Sequence, residues 1–257
     1  MTLLPYALFF TLILTAASGV HSRVNFIETF KPGVDLSSVQ PNKYNLSANI
    51  IIGSGGKNRD FFELPFIFTY GAEKKLEAGI RFGMASYGAE TGISDLSIAA
   101  KYQFFRHAAE QPGVSAEFGF SLPTGDYKRG LGTGGVGILM AWLIQKQIDE
   151  ITGHFLLGYK VHTENPDKIR MGNELMYTLG AKHKIKKDIT IVGEIKGINH
   201  GYAYLSGTPL LQTGYQEVYL APGVEYTLDN EFDFYGGILL GITGNSNNAI
   251  IFVGLGF

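Results

Sequence analysis

The chain has 257 residues and is close to neutral, with 21 Lys and Arg against 23 Asp and Glu, a formal charge of −2. No basic field points to nucleic acid. The absence of cysteine excludes a disulfide framework, a thiolate metal site, a cysteine nucleophile and a lipoprotein anchor. Glycine at 34 residues, with 13% aromatics, suits strands with tight corners better than helices.

The first element is the stretch Leu3–Val20, apolar and uncharged, closing on the small residues Ala16, Ala17, Ser18 and Gly19. It reads as a secretory signal peptide, residues 1–22, cut between Ser18 and Arg23. Its n-region lacks Lys and Arg, and the run is just long enough to span a bilayer, so an uncleaved anchor is the competing reading. Residues 23–42, with Pro32 and Pro41, form a short extension, either a periplasmic tail or a piece tucked into a barrel mouth.

From residue 43 to residue 257 the pattern is alternation, with no sustained 3.6-residue period and no domain boundary. Tyr44, Leu46, Ala48, Ile50 and Ile52 share one side of their stretch, with Asn45, Ser47 and Asn49 on the other. Leu76, Ala78, Ile80, Phe82 and Met84 oppose Glu77, Gly79, Arg81 and Gly83. The same holds for Leu96, Ile98, Ala100, Tyr102 and Phe104, and for Val114, Ala116, Phe118, Phe120 and Leu122. This period of two marks strands with one apolar and one polar face.

Continued along the chain, it predicts about twelve strands: 43–52, 60–70, 75–85, 93–104, 113–122, 133–144, 151–161, 172–183, 189–199, 215–227, 231–242 and 247–257. Each approaches the length that a tilted strand needs to cross a bilayer, longer than ordinary globular strands. Their even number fits a closed, up-and-down antiparallel barrel. With the N-terminus in the periplasm, the connectors near 71–74, 105–112, 145–150, 184–188 and 229–230 form the inner set. The outer set, near 53–59, 85–92, 123–132, 162–171, 200–214 and 243–246, is generally longer and richer in Gly, Asn, Ser and Pro, the outer-membrane pattern.

Alternation alone does not say which face is inside, and a soluble sandwich or lipocalin-like barrel would turn the apolar face inward. Two features favour the membrane. The polar face is rich in glycine, a weak solubilising surface, and the apolar face often ends in rings such as Tyr70, Trp142, Tyr159, Tyr177 and Tyr226, which suit the headgroup level.

The last stretch, Ala249–Phe257, places Ala249, Ile251, Val253, Leu255 and Phe257 on one face. The residues Ile251, Val253, Leu255 and Phe257 resemble the insertion signal of bacterial outer-membrane barrels, which implies the barrel-assembly machinery as a partner. A narrower resemblance lies in "GISDLSIAAKYQFF" (Gly92–Phe105) and "FSLPTGDYKRGLGTGG" (Phe120–Gly135). The Gly-Ile-x-Asp-Leu opening and the Leu-Pro-Thr-Gly-Asp corner resemble the outer-membrane transporter family named for the MetA pathway of phenol degradation. That resemblance spans residues 90–145 and is architectural beyond them. It implies an outer-membrane barrel passing small hydrophobic or aromatic molecules.

The Leu-Pro-Thr-Gly-Asp piece itself reads as a strand-to-loop corner. Pro123 stops ladder pairing, and Asp126 can bond its own backbone. The functional alternative makes Asp126, Tyr127, Lys128 and Arg129 outer-loop contacts for a ligand.

Other candidates for chemistry are weak. Gly132–Gly137 fits G-x-G-x-x-G, but the stretch after it reads as a strand, not a helix. Gly53–Asn58 lacks the full phosphate-loop spacing. No His-x-x-x-His pair exists, so no metal is expected, and the motifs of the outer-membrane phospholipase and protease barrels are not found, so no cofactor or catalytic residue is expected either.

The polar-face residues are the better clue. Predicted lumen positions are Glu77, Arg81, Asp95, Lys101, Glu117, His154, Lys160, Glu174, Lys182, Glu194, Lys196, Glu217 and Glu225, with Tyr219 and Tyr235 as aromatic surfaces. They read equally as a structural network holding the wall and as a selectivity-setting pore lining. The expected partners are outer-membrane lipid and a small-molecule solute. The rival to a channel is a surface-interaction barrel with a plugged lumen.

Overall fold

A computed structural model describes residues 41–54, 60–105, 111–228 and 232–257. The expected signal peptide, and the extension up to residue 40, lie outside the described residues. The described residues form sixteen strands in order: β1 (Tyr44–Ser54), β2 (Phe61–Glu73), β3 (Leu76–Tyr87), β4 (Glu90–Ile93), β5 (Leu96–Phe105), β6 (Gly113–Leu122), β7 (Gly137–Ile148), β8 (Ile151–His162), β9 (Ile169–Arg170), β10 (Glu174–Lys184), β11 (Ile189–His200), β12 (Ala203–Leu205), β13 (Thr208–Leu210), β14 (Tyr215–Leu228), β15 (Phe232–Gly241) and β16 (Ala249–Gly256). Among the described residues the only helical element is a 3-10 turn over Tyr127–Arg129.

Twelve of these strands close a ring. Neighbours run β1, β2, β3, β5, β6, β7, β8, β10, β11, β14, β15, β16, and β16 returns to β1 through Ile50↔Val253 and Ile52↔Ile251. Every pairing is antiparallel, so the order is the up-and-down meander that the even strand number predicts. Closure removes the open edges that would otherwise expose unpaired backbone groups to lipid.

The burial pattern settles which face is outside. On β3, Glu77, Gly79, Arg81, Gly83 and Ala85 are buried while Ala78, Ile80, Phe82 and Met84 are exposed. Phe82, Met84, Met140, Trp142, Tyr159, Ile195 and Val253 form part of a continuous apolar exterior. Rings pack along this surface, as where Phe104 stacks on Trp142 with centroids 5.7 Å apart. A soluble sandwich would hide this face, so the arrangement is that of a transmembrane barrel.

Three details differ from the alternation pattern. The expected strand 93–104 is two pieces, β4 and β5, broken at Ser94–Asp95, and both pair with β3. The expected strand 133–144 is displaced to β7, because residues 133–136 belong to the preceding loop and the ladder with β8 runs on to Ile148↔Ile151. The long connector after β11 carries its own small sheet, in which β12 pairs with β13 and with β9.

The final strand is paired to its end: the Phe257 N–H donates to the Leu46 carbonyl at 3.0 Å, and the Leu46 N–H donates back at 2.8 Å. Ile251 and Val253 are exposed and Leu255 is half-buried. Phe257, expected on the same face, is buried, its ring centroid 6.1 Å from that of Phe232.

Candidate functional site

The inward faces of the twelve strands enclose the candidate site, and the walls differ. On β3, β5 and β6 the register aligns Glu77, Lys101 and Glu117 side by side. Lys101 Nζ lies 2.7 Å from Glu77 Oε1, and all three side chains are fully buried. Arg81 sits further out on β3, 3.3 Å from Glu63 of β2, which also accepts from the Tyr87 hydroxyl at 2.5 Å. A second charged group spans β8, β10 and β11. His154 Nε2 is 2.8 Å from Glu194 Oε1, and Lys196 Nζ is 3.1 Å from Glu194 Oε2. Nearer the outer mouth, Glu174 lies 3.4 Å from His162 and 3.7 Å from His200, and His200 stacks on Tyr215 at 4.3 Å. Opposite charges on neighbouring strands let acids and bases share a low-dielectric interior.

The wall made by β14, β15, β16 and β1 carries an apolar patch between polar residues such as Glu217, Glu225 and Asn49. Tyr219, Ala221, Tyr235, Leu239, Ile250, Phe252 and Ile51 form one buried cluster, with Phe61 of β2 packed against it. The two predicted tyrosines are therefore part of a hydrophobic surface whose polar tips are engaged. The Tyr219 hydroxyl donates to Glu217 at 2.9 Å, and the Tyr235 hydroxyl donates to Asn49.

Two cavities open from the ends. The outer one has a volume of about 760 Å³ and is lined by the charged Arg81, Glu63, Lys160, Glu174, Lys196 and Glu217 together with the apolar or aromatic Phe61, Tyr219, Leu239 and Ile250. The inner one, about 620 Å³, is lined by Lys182, Lys184, Lys186 and Lys187 with the acids Asp149, Glu150 and Glu225. Lys182 lies 3.7 Å from Glu225 there. Deeper than the outer cavity, Ser115, Glu117, Lys101 and Leu143 have no exposure.

The structure thus brings the predicted lumen residues into three groups: a buried charge row, an outer amphipathic chamber and an inner lysine-rich mouth. Asp95 lines the outer cavity with its carboxylate engaged rather than free. Its carboxylate binds the loop between β6 and β7, accepting from Gly125 and Thr133. The four predicted loop contacts are likewise occupied locally. Asp126 caps the 3-10 turn by accepting from the Lys128 N–H at 3.1 Å, and the Lys128 ammonium lies 5.9 Å from the Tyr127 ring centroid. Arg129 Nε donates to Glu90 at 2.6 Å, and that carboxylate raises the guanidinium's already high pKa. These residues build a corner, as Pro123 and Gly125 suggest.

Sequence reasoning missed Glu63, Leu131 and the apolar inner patch. A signal for the patch is present in Ile250 and Phe252, which alternate with outward Ile251 and Val253, so β16 is apolar both toward lipid and toward the interior. Among the described residues no group of three or more His, Asp or Glu is placed to hold a metal ion.

No curated protein matches the chain. Among solved structures, an outer-membrane channel from Pseudomonas putida F1 superposes with a TM-score of 0.75 at 12% identity, covering 89% of this chain and 99% of the other. The NanC porin gives 0.55 at 11% identity, covering 83% and 98%. The KdgM porin in complex with disordered oligogalacturonate gives 0.54 at 9%, also covering 83% and 98%. At these identities the likeness is one of fold. A family model described as "Putative MetA-pathway of phenol degradation" matches residues 76–257. With that match covering most of the barrel, the chain belongs to this family and is an outer-membrane β-barrel of its kind.

Proposed function

We propose that this barrel lets small solutes cross the bacterial outer membrane passively, and that its outer chamber selects molecules with an apolar or aromatic body and a polar head. The observation that carries the reading is the joint charged and apolar lining of the cavity of about 760 Å³. Phe61, Tyr219, Leu239 and Ile250 offer dispersion contact and relief from water, worth roughly 25 cal/mol per Å² of apolar area buried. Arg81, Lys160, Lys196 and Glu174 add donors and acceptors for a hydroxyl or carboxylate. A concentration gradient supplies the driving force, and the reading needs no cofactor or catalytic step. It includes export through the signal peptide and insertion by the barrel-assembly machinery, with Ile251, Val253, Leu255 and Phe257 as the insertion signal.

Purified protein in liposomes tests this reading by swelling in solutes matched for size, half with an aromatic ring. Faster entry of phenol- or benzoate-sized solutes than of equally small sugars supports it; absence of any flux above empty liposomes refutes it. One observation favours a second reading, a surface barrel with a closed lumen acting through its outer loops. It is the full burial of Glu117, Lys101, Ser115 and Leu143 deeper than the chamber. A silent protein in planar bilayers, together with loop-dependent binding to a partner surface, would select that reading.

A further inference from the structure

The two sequence pieces Gly92–Leu96 and Leu122–Asp126 meet in the fold. Asp95 sits in the break between β4 and β5, and its carboxylate faces the β6–β7 loop. Oδ1 accepts the Gly125 N–H at 2.9 Å. Oδ2 accepts the Thr133 N–H at 2.8 Å, with the Thr133 hydroxyl 3.0 Å away. Beside it, Thr124 Oγ1 accepts the Leu96 N–H at 2.8 Å. Contact is close enough that a Cβ at Gly132 would run into the Asp95 carboxylate, and one at Gly125 into the Leu131 carbonyl. The loop is tied again by Arg129 to Glu90 and by the Val136 N–H to Thr163 Oγ1 at 2.8 Å.

A segment held at this many points is a fixed part of the wall. What it presents inward is Leu131, which is 3% exposed, packs over Gly92 and lines the outer cavity, across the ring from Leu239 and Ile250.

We propose that the β6–β7 loop is a fixed constriction of that path, with Leu131 as its specificity-determining side chain and Asp95 as the residue that positions it. An apolar group at the narrowing penalises solutes that must shed water there and favours those presenting an apolar face. The inference rests on the channel reading above.

The test compares full-length wild type with L131A, L131W, D95A and G132A. The readouts are single-channel conductance and liposome swelling in sugars of graded size, with folding checked by heat-modifiable gel mobility. L131A is expected to raise conductance and to speed the larger sugars more than the smaller ones, whereas L131W lowers both. D95A, which keeps the Leu131 side chain but releases the loop that carries it, is expected to reproduce the size shift of L131A with a noisier current. G132A releases the same loop by steric contact, without changing charge, and is expected to match D95A. Folded L131A and L131W channels with wild-type conductance and an unchanged size profile would overturn the inference while leaving the channel reading intact. A wild-type barrel that passes nothing would overturn both. If D95A fails to fold, the opposite shifts of L131A and L131W still decide the matter.

Discussion

The charged wall of this barrel and the wall with the apolar patch look alike from the lipid and unlike from the lumen. On β3, β5 and β6 the outward positions hold Ile80, Phe82, Ile98 and Phe118, while the inward ones hold Glu77, Arg81, Lys101 and Glu117. On β14 and β16 the outward positions hold Leu220, Val224, Ile251 and Val253, and the inward ones Tyr219, Ala221, Ile250 and Phe252. Lipid imposes one answer on every exterior position, because a polar group there has no partner. The interior has no such constraint. Its polarity is where one barrel can differ from another of the same fold, so function is read from it.

Breaking the charged wall is expected to cost most. Lys101→Ala removes the cation set between two carboxylates, and loss of one member of a buried pair costs about 3–5 kcal/mol. Urea unfolding from lipid vesicles should show the lowered midpoint, and a midpoint equal to wild type would mean that the row contributes nothing to stability. A charge on the common exterior comes next: Phe82→Arg should cost about 2–4 kcal/mol if its position lies near the midplane. The same assay on the neighbouring inward Arg81→Ala should show a smaller loss, and reversal of that order would put the wrong face in lipid.

On the apolar patch, Leu239→Ala is expected to cost about 2 kcal/mol, the low end for a core leucine, because the site borders a cavity. It should also slow entry of aromatic solutes relative to sugars. Equal slowing of both would deny the patch its selective role. The smallest expected effect on stability belongs to Arg81→Ala, which leaves Glu63 with Tyr87 and should move the reversal potential in a salt gradient toward cation preference. An unchanged potential would place Arg81 off the ion path.

Much of this was legible from spacing alone. Alternation locates all twelve ring strands, because a strand with lipid on one side must repeat every second residue. Their ends are harder to read. The break at Ser94–Asp95 exists because the Asp95 carboxylate is spent on Gly125 and Thr133, bonds that span 30 residues or more and leave no local trace. For the same reason Asp95 looks like any other inward charge until the loop is seen to close on it. Leu131 is hidden in a glycine-rich stretch whose composition suggests an exposed tip. Glu63 sits between Phe61 and Phe66 in a run apolar enough to mask its phase. Phe257 shares the period of Ile251 and Val253, yet its ring lies beside Phe232 and is buried.

The central claim is that successive residues of one strand meet lipid and lumen in turn. Since the chain has no cysteine, single cysteines at Ile195 and Lys196 of β11 test it with one label each, in barrels reconstituted into vesicles. The account predicts that a fluorophore at position 195 is quenched by brominated acyl chains and that a thiol at 196 reacts with a small water-soluble maleimide. Quenching at 196 with aqueous reactivity at 195 would contradict it.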